Sequence, residues 1–269
     1  MLFHNHNISL TIKYVFNYQL FAIIPHMNTE LLYMHDSYLF EETAKVVSTS
    51  DHEDGRKIVV LDRTIFYPQG GGQRFDIGKI TSDSTSFNVE EVRFVEGQVL
   101  HIGDYETGEL QIGDAVKLQI DQDRRILHSK LQSAGHLIDM AMRHVGYESF
   151  VPAKGAHYPE WSDVEYEGVI APEEIESAMV KLQEDVNKMI EQGYEVKIEM
   201  STKEEAQEKC YTLPPQLPDN KPIRIVAVWD DLYMPCGGTH VKNVSELKGL
   251  KITRVKSKKG MTKISYIIE

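Results

Sequence analysis

The chain has 269 residues, 41% of them apolar and 26% charged, with a net charge of -12 at neutral pH. This composition supports a packed core of one or two domains and excludes a chain disordered along its length or a uniformly basic nucleic-acid coat. Only two cysteines occur, Cys210 and Cys236, which excludes a disulfide framework and fits a cytosolic protein with reduced thiols.

Residues 1–26 are apolar in patches but broken by Asn, His and Lys, so they form neither a membrane span nor a signal peptide. They read either as a loosely ordered extension or as an artefact of start-site choice, and a more regular sequence starts at Met27. From residue 34 to about 120 the pattern is β. Runs such as Lys57–Leu61, Phe87–Phe94 and Val116–Ile120 are rich in branched and aromatic residues, with Gly55, Gly97 and Gly113 in the turns between them. Their spacing predicts a small barrel or sandwich over residues 27–122. At Arg124 the period changes. Ile126, Leu127, Leu131, Ala134, Leu137, Ile138, Ala141 and Val145 recur at helical spacing, with a stop at Gly146. A second helix follows Pro172, with Ile175, Met179, Leu182, Val186, Met189 and Ile190 on one face, and ends at Gly193. A strand over Glu195–Met200 leads to Ser201 and Glu204, read as a capping box for a short helix through Cys210. The apolar strand Ile223–Trp229 and a hairpin around Lys259-Gly260 complete residues 123–269. The expected class is therefore α+β: a small β-barrel, then helices packed on an antiparallel or mixed sheet.

Three features carry chemistry. Cysteine thiolate and neutral imidazole are both good zinc ligands, and Cys236-Gly237-Gly238-Thr239-His240 turns tightly enough to aim both at one point. On the first helix, His128, Gln132 and His136 share a face at intervals of four. His128 lies about 12 Å along the axis from His136, too far to share an ion. The run Gly70-Gly71-Gly72 lacks the Lys-Ser/Thr of a P-loop and the spacing of a dinucleotide site, leaving a tight turn as its plain reading. Between Lys242 and Lys263 eight basic residues face a single Glu246, which is either a solvated hairpin face or a local phosphate-binding stripe.

Together these segments resemble the editing domain of alanyl-tRNA synthetases and the free-standing AlaX proteins. Cys236–Val241 is similar to the family's C-terminal metal motif, and Gln132-Ser133-Ala134-Gly135-His136-Leu137 to its helical His-x-x-x-His motif. Phe66–Gly78 is similar to the glycine-rich segment of its N-terminal barrel. The resemblance runs from about Tyr33 to Glu269. It implies one zinc ion per chain on His136, Cys236 and His240, either with a zinc-bound water as the catalytic group or with the zinc anchoring the amino acid while the tRNA's own hydroxyl helps position a water. Gln132 departs from the family pattern, which has histidine there. Its amide oxygen is a weaker zinc ligand, so it is either a fourth ligand or leaves positions open for water and substrate.

The function implied is hydrolysis of mischarged tRNA(Ala), carrying serine or glycine. A synthetase pocket rejects such small residues poorly, so a second hydrolytic site is needed. Gln73, Thr64 and Thr239 are the implied substrate contacts. Lys248, Lys251, Lys256, Lys258 and Lys259 become candidates for the tRNA backbone. The partner expected is aminoacyl-tRNA(Ala), not DNA or a membrane. Two alternatives stand beside this reading: a tRNA-binding homologue with weakened metal chemistry, and a zinc hydrolase of small esters.

Overall fold

The computed structural model describes residues 28–214, 217 and 221–269. The expectation for residues 1–26 lies outside that range. Strands β1 (Glu30–Leu31), β2 (Glu41–Asp51), β3 (Lys57–Leu61), β4 (Arg63–Thr64), β5 (Gly78–Thr81), β6 (Ser86–Val95), β7 (Gln98–Thr107) and β8 (Ala115–Ile120) come first. Six of them close an antiparallel barrel in the order β2-β3-β7-β6-β5-β8. Alternation explains the closure: along β8, Val116, Leu118 and Ile120 point inward and their neighbours face solvent. With Val59, Ile80, Phe87, Val89 and Val99 they fill the barrel with side chains.

A single residue, Asp121, joins the barrel to helix α1 (Gln122–Met142), and its carboxylate caps the helix by accepting from the Arg124 N–H. Every residue of α1 from Leu131 to Met142 is buried. Leu131, Ala134, Leu137, Ile138 and Ala141 pack into the main core, while Gln132, His136 and Asp139 between them border a cleft. A wider turn (Arg143–Tyr147) ends the helix, with Gly146 at φ 98°. Then follow β9 (Val151–Tyr158), β10 (Trp161–Glu167), α2 (Ile175–Gln192), β11 (Lys197–Ser201), α3 (Lys203–Lys209), β12 (Ile223–Ala227), β13 (Met234–Pro235), β14 (Leu250–Lys258) and β15 (Met261–Ile268). The order β14-β15-β10-β9 makes a four-stranded antiparallel sheet, and β11-β12-β13 a three-stranded one. The α+β class and the barrel agree with the sequence reading.

One local expectation needs correction. Thr202 and Glu205, not Ser201 and Glu204, form the capping box of α3. Ser201 is the last residue of β11, and its hydroxyl donates to the Ile223 carbonyl across the sheet, so it is not available to cap.

The barrel and α1 are bolted together by a buried ion pair. Arg125 and Asp76 are both fully buried, with Nε of Arg125 3.1 Å from one carboxylate oxygen. Asp76 also accepts from the Tyr67 N–H, and Arg125 also donates to the Ser37 and Ile65 carbonyls. Removing one partner of such a pair strands a charge, at about 3–5 kcal/mol. The glycine-rich segment is thereby fixed against the first turn of the helix.

Candidate metal centre and its cleft

Helix α1 turns Ser129, Gln132, Ser133, His136 and Asp139 toward the loop that follows β13. The loop is held from several sides. The Cys236 N–H donates to the Arg224 carbonyl at 3.0 Å. The Arg224 guanidinium donates back to the carbonyls of Cys236 and Gly238 at 2.7 and 2.8 Å. The His240 N–H donates to Ser37 Oγ, and the Val241 N–H to Ser133 Oγ. Gly238 approaches the helix so closely that a Cβ there would fall 2.8 Å from Gln132 Cδ. Glycine is what lets loop and helix meet.

The result is a convergence of His136, Cys236 and His240, whose donor atoms all lie within 4.8 Å of one another. His240 Nε2 is 3.3 Å from Cys236 Sγ, close to the edge of a zinc tetrahedron, about 3.3–3.8 Å for bonds of the usual length. Burial pushes the imidazoles of His136 and His240 down to about 4, so both are neutral and able to ligate. Burial raises the Cys236 thiol, but the adjacent His240, then Arg224 and the Gly238 N–H, more than reverse this and bring it down to about 7. Gln132 donates Nε2–H to Cys236 Sγ at 3.4 Å, while its buried Oε1 has no partner. An unpaired acceptor beside two imidazoles and a thiolate fits a cation, because a half-turn of the amide would present that oxygen. The donor set therefore suits zinc, with Gln132 poised as a fourth donor.

Gln132, His136 and Cys236 line a cleft of about 530 Å³ between Gly71-Gly72 of the barrel loop, α1, and β9, while His240 is buried and does not line it. Residues 223–264 match the family described as threonyl and alanyl tRNA synthetase second additional domain, and residues 15–124 match class II (A) tRNA synthetases. An alanyl-tRNA editing protein AlaX-M from Methanosarcina barkeri is 36% identical over 239 residues, covering 86% of this chain and 94% of that protein. This chain belongs to the AlaX family. An AlaX-L protein from Pyrococcus horikoshii is 32% identical over 241 residues, 88% of this chain and 57% of its own length. An alanine–tRNA ligase from Clostridioides difficile is 32% identical over 204 residues, 74% of this chain and 23% of the ligase.

The other expected site residues of this AlaX chain are placed as follows. Gln73 and Thr239 are buried and bonded to each other. Gln73 Nε2 donates to Thr239 Oγ1 at 3.0 Å, the Thr239 N–H donates to Gln73 Oε1 at 2.9 Å, and Ser129 Oγ donates to Thr239 Oγ1. They clamp the barrel loop to the metal loop, and neither lines the cleft. Thr64 is fully buried in the barrel, where its hydroxyl pairs with His101 Nε2 and accepts from the Phe66 N–H.

The lysines fall into separate groups. Lys256 and Lys258 stand on the open face of the four-stranded sheet with Arg254 and Lys263, around a depression of about 390 Å³. Lys259 occupies the hairpin turn. Lys248 and Lys251 lie at the other end of β14, where Lys251 pairs with Glu269 at 3.1 Å.

The sequence reading missed His157 on β9. It lines the cleft, and its Nδ1 meets Tyr266 Oη, which itself donates to the Leu131 carbonyl at 3.0 Å. The phenol proton being committed there, His157 donates Nδ1–H and keeps the lone pair on Nε2. A Cβ at Gly135 or Gly155 would fall 2.5 Å from His157 Cε1 or 2.6 Å from Nε2. Glycines therefore make the room this ring occupies. Asp139 lines the cleft too, one turn beyond His136. Burial raises its carboxyl to about 6, although the His136 ring and the hydroxyls of Tyr166 and Tyr211 oppose this.

Proposed function

We propose that this chain is a trans-editing hydrolase: it cleaves the ester between a wrongly attached amino acid, serine or glycine, and tRNA(Ala). The observation that carries the reading is the convergence of His136, Cys236 and His240, the first two on the wall of a cleft sized for a small molecule. The names of the relatives, alanyl-tRNA editing proteins and alanine–tRNA ligases, supply the substrate class.

Zinc would be held by those three side chains, with Gln132 Oε1 as a fourth donor, and would supply a Lewis acid for attack of water on the ester. The protein's own groups do the rest. His157 offers an unprotonated Nε2 to the α-ammonium group or a side-chain hydroxyl of the aminoacyl moiety. Asp139 places acidic character at the same end of the cleft. Gly71 and Gly72 bring backbone, without side chains, against the substrate. Gln73 and Thr239 keep the barrel loop and the metal loop in register rather than reading the amino acid, and Thr64 orders the strand behind them.

The test is a deacylation panel with seryl-, glycyl- and alanyl-tRNA(Ala), zinc supplied. Loss of serine or glycine well above background, with alanine retained, supports the reading. No hydrolysis of any of the three, with zinc bound at less than about half an equivalent and tRNA binding intact, would mean a binding homologue whose chemistry weakened at Gln132. Among the described residues no helix is long and apolar enough to cross a membrane. The proposed work is cytosolic, beside translation.

A further inference from the structure

A second, smaller pocket of about 240 Å³ lies beside the cleft, lined by Arg74, Phe75, Arg124, His128, Pro159 and Glu160. Each of its walls continues a wall of the cleft. Arg74 follows Gly72 on the barrel loop, His128 precedes Gln132 by one turn of α1, and Pro159-Glu160 follow His157 at the end of β9. His128 is thus about 6 Å along the helix from Gln132 and about 12 Å from His136.

The polar groups of this pocket are prepared but unmatched. His128 is fully buried, and neither ring nitrogen has a partner; Arg74 Nε is buried and unpaired as well. Both guanidinium groups are held in place. Arg74 lies over the Tyr158 ring at 4.6 Å, and Arg124 donates Nε–H to the Phe75 carbonyl with its carbon 5.6 Å from that ring. The one carboxylate at the rim is Glu160, exposed and paired to Arg74 at 3.4 Å, an arrangement that an incoming anion displaces readily.

We propose that this pocket binds a backbone phosphate of the substrate's single-stranded RNA end, with Arg74 and Arg124 as cations and His128 as an N–H donor. The proposal rests on the reading that the cleft takes the aminoacyl end of an RNA. It assigns the step between them: the ester enters at His136, and a phosphate a short way back along the strand seats between the arginines. Arginine forks match phosphate oxygens, and Phe75 and Tyr158 keep the forks from collapsing onto the surface. Burial, then Arg124 and Arg125, push His128 down to about 4, so it acts as a neutral donor.

The test uses the full chain and an uncharged RNA hairpin, fluorescein-labelled at its 5′ end and ending in single-stranded CCA. Anisotropy gives Kd across a salt series. Arg74→Gln and Arg124→Gln should each weaken binding about tenfold and lower the slope of log K against log salt by about 0.7. Glu160→Gln should tighten binding, a gain that misfolding does not produce. His128→Leu should weaken binding while leaving thermal stability unchanged or higher, because it removes unpaired polar atoms from the interior. On a blunt-ended hairpin the variants should match the wild type. Unchanged slopes in both arginine variants overturn the proposal. So does saturable binding of inorganic phosphate alone, lost in the arginine variants while their RNA affinity stays at wild type; that pocket would serve the free ion. Deacylation of seryl-tRNA(Ala), run in parallel, separates the two readings. Hydrolysis with unchanged slopes removes only the phosphate site, and altered slopes without hydrolysis remove only the editing activity.

Discussion

Gln73→Ala tests whether the glycine-rich loop reads substrate or holds the site together. The Gln73 side chain is fully buried and makes two hydrogen bonds to Thr239, the residue before His240. Truncation leaves the Thr239 N–H buried and unpaired, at about 1–3 kcal/mol, and removes a further hydrogen bond to Thr239 Oγ1, at about 1 kcal/mol. The vacated volume adds about 1 kcal/mol. Ser129 Oγ still reaches Thr239 Oγ1, so that hydroxyl keeps one partner. The expected loss is about 3–5 kcal/mol, which for a chain of this size lowers the melting temperature by about 10 °C. Because Thr239 adjoins His240, the loosened loop should also bind zinc more weakly, by about 10- to 100-fold, the usual effect of losing support behind a ligand. The assays are thermal unfolding in the presence of chelator and zinc titration by competition with an indicator. A Gln73→Ala protein with wild-type stability and zinc affinity, but no hydrolysis, would refute the clamp and return Gln73 to direct contact with substrate.

Cys236→Ala should lower zinc affinity more than about 100-fold and abolish hydrolysis, while circular dichroism in chelator stays unchanged; full activity in this variant would end the metal-centred account. Gln132→His adds an imidazole where the amide now meets Cys236 Sγ and should raise zinc affinity at least about tenfold, read by competition titration; an unchanged affinity would show that the position does not face the ion. Acid should destabilise the fold steeply. Burial lowers His101 and His128 to about 4 and His157 to about 3, so between these values and about 6.5 the unfolded chain binds more protons at each, and stability is lost as pH falls through that window. Asp139, raised to about 6, acts oppositely between about 4 and 6, gaining stability as pH falls. With His136 and His240, also at about 4 in the metal-free protein, the net is about 3.5 protons, or about 5 kcal/mol per pH unit near pH 5, measured by urea unfolding of the metal-free protein; a flat profile from pH 4.5 to 6.5 would contradict the burial of these rings.

The parts of the fold that could be read from sequence are those with an uninterrupted period. The limits of β3 match residue for residue, α2 ends at Gly193 as expected, and the terminal hairpin turns at Lys259-Gly260, both with positive φ. The β9–β10 hairpin went unseen because polar side chains are buried beside Ala156, Val164 and Tyr166. His157, Ser162 and Asp163 occupy interior positions that the alternation rule reserves for apolar residues, and Pro152 and Gly155 look like loop. With the hairpin went His157, the residue it delivers to the cleft. The layout of the basic stripe was hidden for a different reason. A register shift between Ile252 and Arg254 rephases β14 and puts Lys251 on the same face as Arg254, Lys256 and Lys258, but Lys251 stands at the far end of the strand, paired with Glu269. For Gln73, Thr64 and Thr239, residue type reveals hydrogen-bonding capacity but not the partner, and each was claimed by another buried group.

The glycines at the cleft have one physical purpose. Helix α1 is buried on every side from Leu131 onward, so it cannot move to meet its partners; they must come to it. Gly238 brings the metal loop onto Gln132, Gly72 brings the barrel loop onto the Gly155 carbonyl, with a would-be Cβ 2.4 Å away, and Gly135 lets the His157 ring lie against the helix. Each approach is then fixed by a buried polar clamp: Arg224 on the metal loop, the Gly72 carbonyl on the His157 N–H at 2.8 Å, and Tyr266 on His157. Close approach without side chains, locked by satisfied hydrogen bonds, gives donor atoms positions that do not depend on a bound ion for their assembly. Two groups are exceptions: Arg224 keeps one buried Nη2 unpaired, and Gln132 has one atom of its amide committed to Cys236 and the other unpaired. A third imidazole here would have no such unpaired oxygen, so the orphan is specific to glutamine at this position and marks it as the point where a bound cation would change the site.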